Sequence, residues 1–338
     1  VTFADDGDTT KSNLLQVRGA ESSLLGIVLQ GLRPINKSSP VVVIFSTAHN
    51  TIVRDSDFRD CSGYVVTLRE ADNGDVAKGV KVTHNGFTDC HDYFFQAGQY
   101  GLANKDAFKS YGEFTRNKVV DCYSAEVKVS AFITEKNLFV NVKKGFNLRH
   151  GDYNTIKDNL YKGGEHAGRI FGGYHKVQGN IVLNPLLYSF GVPEGSLQSQ
   201  FRVLKNAHHV SAHDVEFTEN YVMSGLQAAF HIGERQTGKK GRGSSRDLNS
   251  PDYPHYEPYS PSRINMLRNI IVVQQSSPLY IRKPDTVPNK YDGYPSDSTR
   301  IDYVGIRSLE NTVLLSNGCK QDPKAHEYAS IDDLLVEV

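Results

Sequence analysis

Asn117-Lys118-Val119, Asn137-Leu138-Phe139, Asn159-Leu160-Tyr161 and Asn180-Ile181-Val182 repeat one motif, an asparagine followed two positions later by an apolar residue, at spacings of 20, 22 and 21. The motif extends outward to Asn85-Gly86-Phe87 on one side and to Asn220-Tyr221-Val222, Asn269-Ile270-Ile271 and Asn311-Thr312-Val313 on the other, with Ser56-Asp57-Phe58 as a degenerate copy. A period near 21 suits one coil of a solenoid built from short strands, and it is too short for helical-pair repeats of about 33 to 45 residues. An asparagine at a recurring turn tolerates left-handed backbone angles, and its amide can bond the asparagine one coil away. The apolar residue then points inward. The expectation is an all-β chain, a right-handed parallel β-helix (a single-stranded solenoid) forming one domain over residues 1–338.

Beyond Asn180 the spacings stretch to 40, 49 and 42, so those coils either come in pairs or carry long insertions. Residues 233–262 and 283–298 are loops by composition, which places the insertions in the C-terminal half. Residues 329–338 read as a short helix or a terminal strand. Cys61, Cys90 and Cys122 each lie five residues after a marker, which predicts a stacked inward column of small hydrophobes rather than disulfides.

Composition excludes several classes. With 38 Lys+Arg against 38 Asp+Glu the net charge is zero, which argues against a globally basic nucleic-acid binder. No apolar run approaches the roughly 18 residues of a membrane span, and Val1-Thr2-Phe3 does not open a signal peptide. No phosphate-cradling glycine loop or Ser-His-Asp order occurs.

A second strand follows each marker by about nine residues, at 64–69, 93–97, 126–130, 146–149 and 169–171. Alternation with period two sends Val127, Val129, Phe146, Leu148 and Ile170 inward and Glu126, Lys128, Ser130, Asn147, Arg149, Arg169 and Phe171 outward. Coils about 4.8 Å apart turn the outward set into one surface with three cations and one carboxylate. His150, Glu165, His166, Tyr174 and His175 add titratable and aromatic groups. Arginine forks suit uronate carboxylates and aromatic rings suit sugar faces. Such a row can equally be a solvated outer face.

Phe146-Asn-Leu-Arg-His-Gly-Asp152, one coil after Glu126-Val-Lys-Val-Ser130, resembles the chondroitinase B and alginate lyase family, polysaccharide lyase family 6, over residues 115–185, with weaker similarity around Phe230-His-Ile-Gly-Glu-Arg235. The resemblance implies a right-handed parallel β-helix that cleaves uronate polysaccharides by β-elimination, with Arg149 and His150 at the reacting sugar. It also implies that the family's first N-terminal coils are lacking here. The family's lysine base falls at Ala131. Three readings stand: Ala131 is an engineered substitution, Lys128 on the same face is the base, or the chain binds without catalysis. The resemblance implies calcium held by an asparagine and two glutamates, yet Ser124 stands at the first glutamate and only Glu126 remains. Calcium is therefore doubtful, and neutralisation by Arg149, Arg169 and His150 is the alternative. Asn147, Arg169, Glu165, His166, Tyr174, His231 and Arg235 are the expected substrate-binding residues.

The expected partner is an anionic polysaccharide, with no nucleic acid and no membrane, and a polymeric substrate implies a secreted or periplasmic location. A non-catalytic module binding acidic glycans is the second hypothesis. A glycosidase with paired carboxylates is disfavoured, because only Glu126 faces the groove. The basic run from Arg235 to Arg242 reads as a solvated loop, and His208, His209 and His213 read as surface residues.

Overall fold

The computed structural model describes residues 2–4, 15–33, 40–71, 75–98, 109–193, 195–196, 211–233, 258–259, 261–274, 276–281 and 306–315. Among them every regular element is a strand. Nearly all the strands pair in parallel with the equivalent strand of the next coil, which builds a right-handed parallel β-helix. One wall is an 11-stranded sheet and a second a 10-stranded sheet. The third wall consists of six- and four-stranded parts joined by a bridge between Leu148 and Ile170. Arg235, the basic run, His208, His209 and residues 329–338 lie outside the described residues.

One coil illustrates how the sequence makes the turns. Ile133–Glu135 runs into Lys136, whose φ is positive, then Asn137, then Leu138–Val140; a second positive-φ residue, Asn141, leads toward Phe146–Leu148. The left-handed position is therefore the residue before each marker asparagine, not the asparagine itself. Asp55, His84, Arg116, Lys136, Asp158, Gly179, Glu219, Arg268 and Glu310 all adopt it, at φ 50–63°. This frees the asparagine to turn its side chain inside.

The inward amides form an unbroken ladder. Each Nδ2 donates to Oδ1 of the next marker, from Asn85 through Asn117, Asn137, Asn159, Asn180, Asn220 and Asn269 to Asn311, at 2.9–3.1 Å. Each Oδ1 also accepts the backbone N–H of the preceding marker, as Asn137 does from Asn117 at 2.8 Å. Polar groups that would cost about 1–3 kcal/mol each if buried unpaired are thus paired. Ser56 joins the ladder through its N–H to Asn85. The direct bonds from Asn180 to Asn220 and onward show that the long coils are single coils with insertions, not pairs.

Phe58, Phe87, Val119, Phe139, Tyr161, Val182, Val222 and Ile271 are buried as the motif requires, whereas Val313 in the last described coil is exposed. Phe139 stacks on Tyr161 with ring centroids 4.6 Å apart. The Tyr161 hydroxyl is buried with no hydrogen-bond partner. Cys61, Cys90 and Cys122 are free and buried.

Candidate active site

The third wall carries most of the residues singled out from the sequence. Register places Thr67, Gln96, Glu126 and Asn147 in one outward column. The column continues from Asn147, whose Oδ1 accepts the Arg169 backbone N–H at 3.0 Å, through Gly191 and His231 to Tyr280. Val127, Val129, Phe146, Leu148 and Ile170 face the core, as alternation predicts. Outward does not mean exposed, however. Glu126, Lys128, Ser130 and Phe171 are all buried, because side chains of neighbouring coils cover them.

Glycine brackets the Phe146–His150 segment. A Cβ on Gly145 would lie 2.1 Å from the Ala167 carbonyl oxygen, and one on Gly151 2.3 Å from that of Val129, and both glycines have positive φ. The glycine of Arg149-His150-Gly151 is thus a close-approach requirement that lets the turn fold back on the preceding coil.

Glu126 sits between two cations. Arg149 Nη1 lies 2.5 Å from its Oε1, and Lys128 Nζ lies 3.3 Å from its Oε2. Burial pushes the Glu126 carboxyl up, but Arg149 and Lys128, with help from the Tyr93 hydroxyl, outweigh it and hold the group below the usual carboxylate range. Burial is the largest influence on Lys128, lowering its pKa, and Arg149 adds to this, while Glu126 and Glu70 oppose it; the net direction is down. Burial likewise raises Tyr93 and Tyr64, and the Glu126 charge adds to both shifts. Arg149 retains 36% side-chain exposure, so part of its side chain is open to solvent.

Glu70 and Tyr93 escaped the sequence reading. Glu70 is buried and acts on Lys128 from two coils away, so the expectation of a single groove carboxylate is corrected. Its signal was available in Leu68-Arg69-Glu70, at the end of a strand that aligns with the Glu126 strand.

A second cluster lies around Tyr188, also unforeseen. Arg169 Nε donates to the Tyr188 hydroxyl at 3.0 Å. The Tyr188 ring occupies the space beside Gly191, stacks on His166 at 5.0 Å and meets His231 edge-on at 5.4 Å. His231 bonds Gln227 through Nδ1 and lies edge-on to Tyr280. His166 is therefore covered rather than presented to a sugar, and burial, then Arg169, drive its pKa down to about 3. It stays neutral in ordinary buffers.

Other expected residues separate. His175 does not join the groove: it is buried at a corner, where Nδ1 accepts the Asn154 N–H and Nε2 bonds the Phe171 carbonyl. His213 is buried rather than a surface residue, with Nδ1 2.8 Å from Asp214. Tyr174 is exposed and stacked on Tyr153. Glu165 is half-buried in the turn after Gly164, and His150 is half-buried at the end of the groove strand. Ala131 occupies a corner with φ +56°, three residues beyond Lys128.

The residues expected to hold calcium do not form a suitable donor set. Calcium takes six to eight oxygens. Here the Glu126 carboxylate already faces two cations, the Ser124 hydroxyl accepts the Asn147 amide at 2.9 Å, and the Asn147 oxygen accepts Arg169 N–H. The positive charge beside Glu126 belongs to Lys128 and Arg149.

Fold and side chains together define a class, the right-handed parallel β-helices with a charged cluster on one wall. Among solved structures the chain is similar to a mannuronic acid specific polysaccharide family 6 lyase from human gut microbiota, at 13% identity over 98% of this chain and 77% of that one, with a TM-score of 0.61. It is also similar to the periplasmic alginate epimerase AlgG, at 15% identity over 89% of this chain and 61% of that one, with a TM-score of 0.54. At these identities the likeness is one of fold. Comparison of the sequence with protein-family models and with curated proteins returns no match.

Proposed function

We propose that the chain is a polysaccharide lyase that cleaves a uronate polymer by β-elimination, alginate in preference to chondroitin or dermatan sulfate, without a metal. The observation that carries this reading is the buried Lys128–Glu126–Arg149 cluster, which joins a lysine of lowered pKa to a partly exposed guanidinium on adjacent coils. A secreted or periplasmic location follows from a polymeric substrate.

In this reading Arg149, with His150 beside it, receives the uronate carboxylate at the scissile linkage. Neutralising that carboxylate acidifies the C5 proton and stabilises the enolate-like transition state. Lys128, as the free amine, takes the C5 proton. The C5–H electron pair becomes the C4–C5 double bond, the C4–O bond breaks, and the leaving oxygen takes a proton from water or from the Lys128 ammonium just formed. Burial serves this role, since a lysine is a base near neutral pH only when its ammonium form is disfavoured. Arg169, Asn147, His231, Glu165 and Tyr174 would contact flanking sugars.

The test is ultraviolet absorbance of unsaturated uronate ends on mannuronate blocks, guluronate blocks and dermatan sulfate, with and without chelator. Cleavage that Arg149→Ala abolishes supports the assignment; cleavage unchanged by Arg149→Ala overturns it. A second reading, a non-catalytic glycan-binding module, draws on Ala131 at the family's lysine position and on the ion pair that holds Lys128 against Glu126. That reading expects saturable oligosaccharide binding with no new chain ends. Cleavage that appears only in Ala131→Lys would show that the base is missing from this chain.

A further inference from the structure

The corner that follows the groove wall carries a column of residues, one per coil, all with positive φ: Tyr111 at 47°, Ala131 at 56°, Tyr153 at 61° and Tyr174 at 58°. The neighbouring register, Glu113 with Ile133, Ile133 with Thr155 and Thr155 with Lys176, places these four directly above one another. A shared left-handed conformation points their Cβ atoms the same way. The same corner is left-handed in other coils too, at Glu21, Asn50, Gly79, Asp214 and Arg263, so the turn imposes the angle, and what sets these tyrosines apart is that their large rings stand exposed there.

Tyr153 and Tyr174 stack with centroids 4.9 Å apart and planes 8° from parallel, which covers one face of Tyr153. Its other face turns toward the coil of Ala131, and Tyr153 remains 56% exposed. Tyr111, on the far side of Ala131, is 63% exposed. The column is interrupted at Ala131 by a single methyl group, and the Tyr111 and Tyr153 backbones on either side stand two coil spacings apart, about 9–10 Å, which leaves a notch between them. A pyranose ring in carbon contact at about 3.5–4 Å with an aromatic face above and another below needs about 8 Å plus the pucker of its chair. The notch and the ring match in height.

We propose that this notch, walled by Tyr111 and Tyr153 and floored by Ala131, binds one pyranose residue of the acidic polysaccharide, outside the Lys128–Arg149 cluster. The proposal rests on the reading that the groove takes a uronate polymer. Proximity supports it: Ala131 follows Lys128 by three residues and Tyr153 follows Arg149 by four, so the floor and one wall of the notch are within about 14 Å of a groove cation along the chain. A sugar chain held by its carboxylate at Arg149 can reach the notch with a neighbouring ring. Ala131 is then a binding feature by virtue of its small size, because a larger side chain would occupy the sugar's place.

The experiment is titration calorimetry of the full chain with a mannuronate hexasaccharide, comparing wild type with Ala131→Tyr, Tyr153→Ala and Arg149→Ala. Tyrosine already adopts this backbone at three neighbouring positions, so Ala131→Tyr is expected to keep or raise the melting temperature while weakening binding about tenfold, the equivalent of about 1.4 kcal/mol. Tyr153→Ala is expected to weaken binding several-fold. Wild-type affinity in both Ala131→Tyr and Tyr153→Ala overturns the notch, and if Arg149→Ala weakens binding in the same series the groove reading survives that failure. No binding of the hexasaccharide to wild type overturns the groove reading and the notch with it.

Discussion

Replacing Glu126 by glutamine removes an anion that Arg149 and Lys128 share and leaves both cations on a buried wall. The carboxylate has 6% side-chain exposure and accepts Arg149 at 2.5 Å. Breaking a buried pair by deleting one partner costs about 3–5 kcal/mol. Arg149, at 36% exposed, can turn part of its charge to water, so the expected loss lies near 3 kcal/mol. At about 2 °C per kcal/mol for a chain of this size, the melting temperature falls by roughly 6 °C. A solenoid's stability is a sum over neighbouring coils, so the sharper assay is native-state hydrogen exchange. Amide protection should drop in Ser124–Val127 and Phe146–Leu148 and be kept in distant coils. The pH dependence carries a definite sign. The folded carboxyl titrates below its unfolded value, so its contribution is present above the unfolded pKa of about 4.3 and is lost as pH falls through the folded pKa. Wild type should therefore lose more stability than Glu126→Gln on acidification below about pH 4.3. A loss under about 1 kcal/mol at neutral pH, or parallel acid limbs in the two proteins, would refute the idea that Glu126 holds the cluster together.

Further expectations concern base, ladder, core and metal. Lys128→Met should lower the elimination rate by about 10² to 10⁴ while leaving oligosaccharide affinity within a few-fold, and in wild type the rate should rise with pH toward a pKa below the usual lysine value; a pH-independent rate would count against Lys128 as the base. Asn159→Ala deprives the Asn137 amide and backbone N–H of their acceptor and should cost about 2–5 kcal/mol in chemical denaturation. Tyr161→Phe removes a buried hydroxyl without a partner and should raise stability by about 1–2 kcal/mol, readable as a higher melting temperature. Exhaustive chelation should leave cleavage unchanged, and a loss restored by calcium would show that the Glu126 neighbourhood rearranges to bind it.

The coil was legible because its markers are chemically forced. An asparagine amide both donates to and accepts from the coils above and below it while filling the corner, so Asn117, Asn137, Asn159 and Asn180 announce the period. The left-handed residue before each marker carries no such signature. Arg116, Lys136 and Glu219 have no special preference for that conformation, and the geometry is imposed by the ladder and the strands. In the groove, Arg149 and Glu126 could be paired from adjacent-coil spacing. Tyr188 could not, because it reaches the column from a turn and takes the room that Gly191 leaves. Burial of Lys128 was equally hidden, since its covering groups come from coils that the local motif does not include.

The asparagine ladder is indifferent to contour length. It clamps consecutive coils at one corner whether the chain between two clamps runs 20 residues or 49. The surplus after Asn180 is spent after the wall that carries the groove: Phe190–Val192 is followed by the next long-sheet strand only at His213, and Phe230–Ile232 only at Ser262. Variation in length is thereby uncoupled from the register of the outward column. Such a scaffold can change the length of these connections one at a time while the spacing of Glu126, Asn147 and Arg169 stays as it is.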